Sequence, residues 1–188
     1  MHWATDPILS EPRYTIAEAA RLAGASPATL RRWAAARFPE STGRSLSFLE
    51  LVELALLRAL AGRVRLSPAA LVATARNLDQ LFGCRHALLT PGARSLPPLH
   101  PGISFIDALD YGEGYIRAWW PRGRTAGVVV DPTLGFGLAV VASTGVRTEI
   151  LLERFRAGDL VDEIASDFNL SRTEVERALQ FEACLAAA

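Results

Sequence analysis

The chain has 188 residues, half of them hydrophobic, enough to bury a core as one domain or two small ones, and this excludes a disordered or fibrous protein. Twenty basic residues, all arginine, balance twenty acids, yet residues 13–76 hold ten arginines against four glutamates and residues 147–188 hold five arginines against nine acids. The neutral total hides a basic front, which concentrates near polyanions, and an acidic back, which repels them. Cys84 and Cys184 are too few for a disulfide framework or a four-cysteine zinc site, so free thiols and no structural metal are expected. No basic segment leads into an apolar run near the start, and no uninterrupted apolar stretch of about 18 residues could span a bilayer, so a soluble, cytoplasmic protein without membrane contact is expected.

The first elements are specified by their caps. Thr15 with Glu18 forms a capping box, and Ile16, Ala19, Ala20 and Ala23 follow at helical spacing, predicting a short helix buried on one side. Gly24 supplies a sharp turn, Ser26 caps the next helix, and Pro27 sits where a missing N–H costs nothing. On that second helix Leu30, Trp33 and Ala34 share one face while Ala28, Arg31, Arg32 and Ala35 share the other, which turns both arginines outward. Two helices around a glycine turn, the second bearing arginines between small residues, have the form of a helix-turn-helix whose second helix enters the major groove. Such spacing also occurs in an ordinary α-hairpin with a solvated face; the basic front and the following segment favour DNA.

Pro39 and Gly43 break the helix, and residues 38–46 can form a short wing with Arg44 near its tip, placed to contact a phosphate. Ser47 with Glu50 caps a helix from Phe48 to Ala61 that is apolar nearly all round, and Ser67-Pro68 starts another through Leu71, Val72, Ala75, Leu78 and Phe82, ended by Gly83. Residues 84–102, rich in proline, read as a linker. Next, residues 105–111 and 115–121, joined by the turn at 112–114, predict an aromatic β-hairpin in which one of Trp119 and Trp120 faces the core and the other a surface, and strands follow near Val128 and Leu138. Three helices close the chain, from Thr148, from Val161 and, capped by Ser171 and Glu174, from residue 172. The last two repeat a helix-turn-helix shape, but Asp159, Asp162, Glu163, Asp167, Glu174, Glu176 and Glu182 would meet phosphates as like charges, so a protein-contacting role is expected there.

Catalytic and cofactor signals are weak. Cys84 and His86 lack further ligands nearby, Gly135-Phe-Gly137 lacks the third glycine and the βα context of a dinucleotide site, and no triad, phosphate loop or carboxylate pair stands out. Neither an enzyme nor a cofactor is expected.

From Thr15 to Leu60, the run Ser-Pro-Ala-Thr-Leu-Arg-Arg-Trp and the later Leu-Ser-Phe-Leu-Glu-Leu-Val-Glu-Leu resemble the winged helix-turn-helix of MerR-type regulators, and within them the DNA-binding domain of VapB-like antitoxins. Val128-Val-Val-Asp-Pro, Phe136-Gly, Gly145-Val-Arg-Thr and Ile164-Ala-Ser-Asp-Phe-Asn-Leu resemble a small domain of formerly unknown function often found in antitoxins. That domain usually carries Gly-x-Pro-Val-Ile-x-Gly-Thr, whereas this chain has Gly137-Leu-Ala-Val-Val-Ala-Ser-Thr, without the proline and the later glycine. The resemblance implies an antitoxin that neutralises a PIN-domain ribonuclease toxin and represses its own operon.

The combined expectation is a mainly α chain with a small β component (α+β), built as a winged helix-turn-helix over residues 13–83, a linker over 84–102, and a dimerisation and toxin-binding domain over 103–188, where a small sheet packs on three helices. Arg31 and Arg32 are expected to read bases or phosphates, Thr29 to position the helix, and Arg37 and Arg44 to anchor the backbone of operator DNA. A homodimer is expected because one short helix reads few base pairs. The alternative is a ligand-sensing MerR-like regulator with the aromatic hairpin as its effector pocket.

Overall fold

A computed structural model describes residues 6–39, 45–63, 66–95, 104–112 and 114–186. Helix α1 (Pro7–Ser10) precedes β1 (Tyr14–Thr15), α2 (Ile16–Ala23) and α3 (Pro27–Arg37); β2 (Ser45–Leu46) then leads into α4 (Phe48–Ala61) and α5 (Pro68–Phe82). Both expected capping boxes form: Glu18 reaches back to the Thr15 N–H at 2.8 Å and Glu50 to the Ser47 N–H at 2.9 Å. Antiparallel pairing of Tyr14 with Leu46 and of Thr15 with Ser45 makes the base of the wing. Its tip, with Arg44, lies outside the described residues.

Helix α4 is the axis of this half. Leu49, Leu51, Val52, Leu54, Leu56 and Leu57 are all buried, because α1, α2, α3 and α5 surround it on different sides. An all-round apolar helix is stable in water only when it is enclosed in this way.

Residues 84–95, expected as part of a linker, are packed against the helices. Two 3-10 turns, Ala87–Leu89 and Pro91–Ser95, bury Leu88, Leu89 and Ala93 in the main core, with the first turn against α4 and α5. Proline and glycine content marked an irregular backbone here; it said nothing of burial, which the Ala-Leu-Leu run determines. The rest of that segment, 96–102, lies outside the described residues.

The expected hairpin begins later than its aromatic pattern predicts. Residues from Phe105 onward first make a helical turn, α6 (Ser104–Asp107), which buries Ile106 before the strand starts at Leu109. Strands β3 (Leu109–Tyr111), β4 (Ile116–Trp119), β5 (Val128–Val130) and β6 (Ala139–Val141) then form a four-stranded antiparallel meander in sequence order. Trp119 enters the core, whereas the half-buried Trp120 donates from Nε1 to Asp110 at 2.7 Å beneath the Arg124 guanidinium. The opposite fates of the two indoles follow from alternation across the pleat.

Helices α7 (Thr148–Arg156), α8 (Val161–Asp167) and α9 (Arg172–Ala186) complete the chain, with α7 on β6 and α9 on β5. The result is the expected α+β class. Leu151, Ile164, Leu170, Val175 and Ala178 form a small core among these helices, but the main core runs without interruption from Tyr14 and α4 through Ile116 and Val130 to Phe181 and Leu185.

Polar contacts fasten the front to the back. The Tyr14 hydroxyl donates to the Gly137 carbonyl at 2.7 Å, Arg13 donates to the Pro132 carbonyl at 3.2 Å, and Tyr115 donates to the Arg85 carbonyl at 2.9 Å. Gly137 has a positive φ of 81°, and a Cβ there would sit 2.7 Å from the Tyr14 oxygen, so only glycine lets the two approach. Burial raises the Tyr14 pKa, so the phenol remains a donor. Tyr14→Phe is expected to destabilise the fold by about 1–2 kcal/mol, because it strips the Gly137 carbonyl of this partner, and urea unfolding measures the loss.

Candidate nucleic-acid interface

The α2–α3 junction is chemically fixed at each step. Gly24 adopts the left-handed region, φ 61°, and the Ala25 N–H donates back to the Ala20 carbonyl at 2.8 Å, which closes α2. Ser26 then accepts the Thr29 N–H at 3.2 Å, and its hydroxyl donates to Thr29 Oγ1 at 2.9 Å. Thr29, half-buried, therefore completes the N-terminal cap of α3 and sets where that helix starts.

The helix faces fall where spacing placed them. Leu30, Trp33 and Ala34 are buried, while Ala28, Arg31, Arg32 and Ala35 are exposed. Neither Arg31 nor Arg32 makes a hydrogen bond or ion pair with another described residue. Alanines on either side keep the surface low, so two guanidinium forks stand above a helix face with their donors unused.

Arg37 is the correction. It is 5% exposed and points into the protein, where Nε donates to Glu53 Oε1 at 2.8 Å and NH2 donates to Asp79 Oδ2 at 2.5 Å. The other oxygen of the fully buried Glu53 lies 2.5 Å from His86 Nδ1, and Asp79 Oδ1 accepts the Ala87 N–H at 3.0 Å. A buried carboxylate demands a buried cation, and Arg37 is the residue whose position at the end of α3 meets that demand. It cannot anchor DNA backbone from there. Burial opposes ionisation of Glu53, but the hydrogen bond from His86 and the charges of His86 and Arg37 outweigh it and hold the carboxyl below its ordinary range. The Arg37 pKa is raised: burial opposes the charge, and Glu53 and Asp79 more than compensate.

The missed signal was Glu53 itself. An acid in the middle of a helix otherwise apolar on every side has no solvent to face. His86 reaches the same cluster by taking a left-handed conformation, φ 58°, at the turn after α5. The Cys84-x-His86 spacing therefore places the imidazole against Glu53.

The C-terminal helices carry the opposite electrostatics. Arg154 pairs with Asp159 and with Asp167 at 2.7 Å, and Arg172 pairs with Asp162 and Glu176, each at 2.8 Å. Four acids share those two arginines, and residues 147–188 as a whole hold nine acids against five arginines. Phe155 and Leu160 are exposed among them.

Residues 128–181 match the family described as Protein of unknown function (DUF433). The match, from β5 to α9, shows a domain of unknown function in the back half and leaves its expected link to antitoxins a proposal. No curated protein matches the chain. Among solved structures, the crystal structure of Rv2018 from Mycobacterium tuberculosis is 22% identical, with a TM-score of 0.75 over 91% of this chain and 99% of that one. The two proteins share a fold that includes both halves. Among the described residues, no helix is long and apolar enough to cross a membrane.

Proposed function

We propose that this protein is the antitoxin of a type II toxin–antitoxin pair, a binding protein that represses its own operon through α3 and holds a PIN-domain ribonuclease through its acidic C-terminal half. The observation that carries the reading is the exposed Arg31–Arg32 pair, without a hydrogen-bond or ion-pair partner among the described residues, on the second helix of a rigidly capped helix-turn-helix. Arginine forks of this kind suit guanine edges and phosphates. Operator recognition uses two copies, because one helix of this length covers only a half-site.

The toxin-binding part rests on the resemblance to VapB-like antitoxins and on the character of α7–α9. Exposed Phe155 and Leu160 among carboxylates suit a basic protein surface and oppose DNA. Co-expression with the reading frames adjacent to this gene is the test. A tagged antitoxin is expected to copurify with the nuclease and suppress its RNA cleavage; a nuclease that remains free and fully active would overturn the assignment.

A further inference from the structure

A cleft of about 340 Å³ lies between the last turn of α2, the outer side of α4, and the α6–β4 region. Its size is within the range that admits a small ligand. The walls include Leu22, Phe105 and Trp119, and among the described residues the charged side chains on it are Arg21, Arg58 and Arg122, with no carboxylate. Arg21 is engaged by Glu182 at 3.0 Å. Arg58 uses NH1 to donate to the Ala23 carbonyl at 3.0 Å, and the rest of its fork has no partner among the described residues. Arg122 is exposed and has none among them at all.

A second observation concerns a residue of the same wall. The Trp119 side chain is buried, and its Nε1–H finds no acceptor among the described residues. A buried donor left unmade is costly and uncommon. Phe105 packs on the same indole with ring centroids 5.7 Å apart, which continues the apolar wall toward the opening.

We propose that this cleft binds a small organic anion: a carboxylate held by Arg58 and Arg122, with an aromatic body against Leu22, Phe105 and Trp119. The planar carboxylate matches the guanidinium fork, and no described acid of the lining compensates the cation pair. Because the residues from Arg21 to Gly24 form one wall, an occupant would touch the turn that leads into α3. The site does not depend on what α3 contacts.

The test is calorimetric titration of the full chain with benzoate, benzamide and inorganic phosphate. Benzoate is expected to bind with a Kd of about 1 mM or tighter, and benzamide and phosphate at least about tenfold more weakly, one lacking the charge and the other the apolar body. Arg122→Glu is expected to abolish benzoate binding while leaving thermal unfolding unchanged, since its side chain has no described partner to lose. Arg58→Gln should weaken binding by about tenfold or more. Absence of benzoate binding, equal binding of benzamide or phosphate, or undiminished binding by Arg122→Glu would each overturn the proposal.

Discussion

Glu53→Ala is expected to destabilise the protein by about 3–5 kcal/mol, because it leaves the Arg37 guanidinium buried without its main counter-charge. That is a large share of the roughly 5–15 kcal/mol that holds a domain of this kind together. Glu53 is 0% exposed and Arg37 5% exposed, so solvent cannot compensate for the missing partner. The cluster joins α3, α4, α5 and the turn at His86, and its loss should loosen the support of α3 as well as lower overall stability. Replacing both residues with methionine is expected to cost less than the sum of the single changes, since an apolar pair leaves no orphaned charge between them. Equal additivity in urea unfolding would show that Arg37 and Glu53 do not act as a pair.

The same carboxylate sets an acid limb. Its folded-state pKa is depressed relative to the unfolded chain, so its contribution is fully present above the ordinary carboxylate range and is lost as pH falls through the folded value. Stability measured against pH should therefore decline on acidification, and Glu53→Gln should flatten part of that decline while starting from a lower plateau. An unchanged acid limb in the variant would place the titrating group elsewhere.

Arg31→Ala with Arg32→Ala is expected to weaken operator binding by about 2–6 kcal/mol per half-site, at about 1–3 kcal/mol for each arginine. Even the lower figure is about 30-fold in Kd. Both side chains are exposed and lack described partners, so the fold should be unaffected, with helical circular dichroism and thermal unfolding unchanged. Where the lost contacts are to phosphate, the dependence of binding on salt should also become shallower by about 0.9 in log–log slope for each contact removed. Arg156→Ala, at the acidic end, should change neither affinity nor slope.

Local chemistry in the sequence carried much of this architecture. Thr15 with Glu18, Ser47 with Glu50, and Ser26-Pro27 each declare a helix start through a side chain that must accept a particular backbone N–H, and all three are found as read. Which face of α3 is buried followed from 3.6-residue spacing in the same way. Periodicity could not tell where a charge at the end of α3 would turn. Arg37 follows Arg31 by six residues and looks like another outward arginine until Glu53, sixteen residues further along the chain, is placed inside the core. The buried 84–95 segment was hidden for a similar reason: proline and glycine describe backbone shape, whereas burial depends on what α4 and α5 leave uncovered. The anion cleft draws on residues from Arg21 to Arg122, a juxtaposition that only the folded chain supplies.

A protection footprint on the DNA upstream of this gene shows whether α3 reads DNA through Arg31 and Arg32. The expected pattern is two protected major-groove tracts about one helical turn, or a multiple of it, apart, present with the native chain and absent with the doubly substituted one at equal concentration. Protection that survives the loss of both arginines, or no protection of that DNA at all, would contradict that reading.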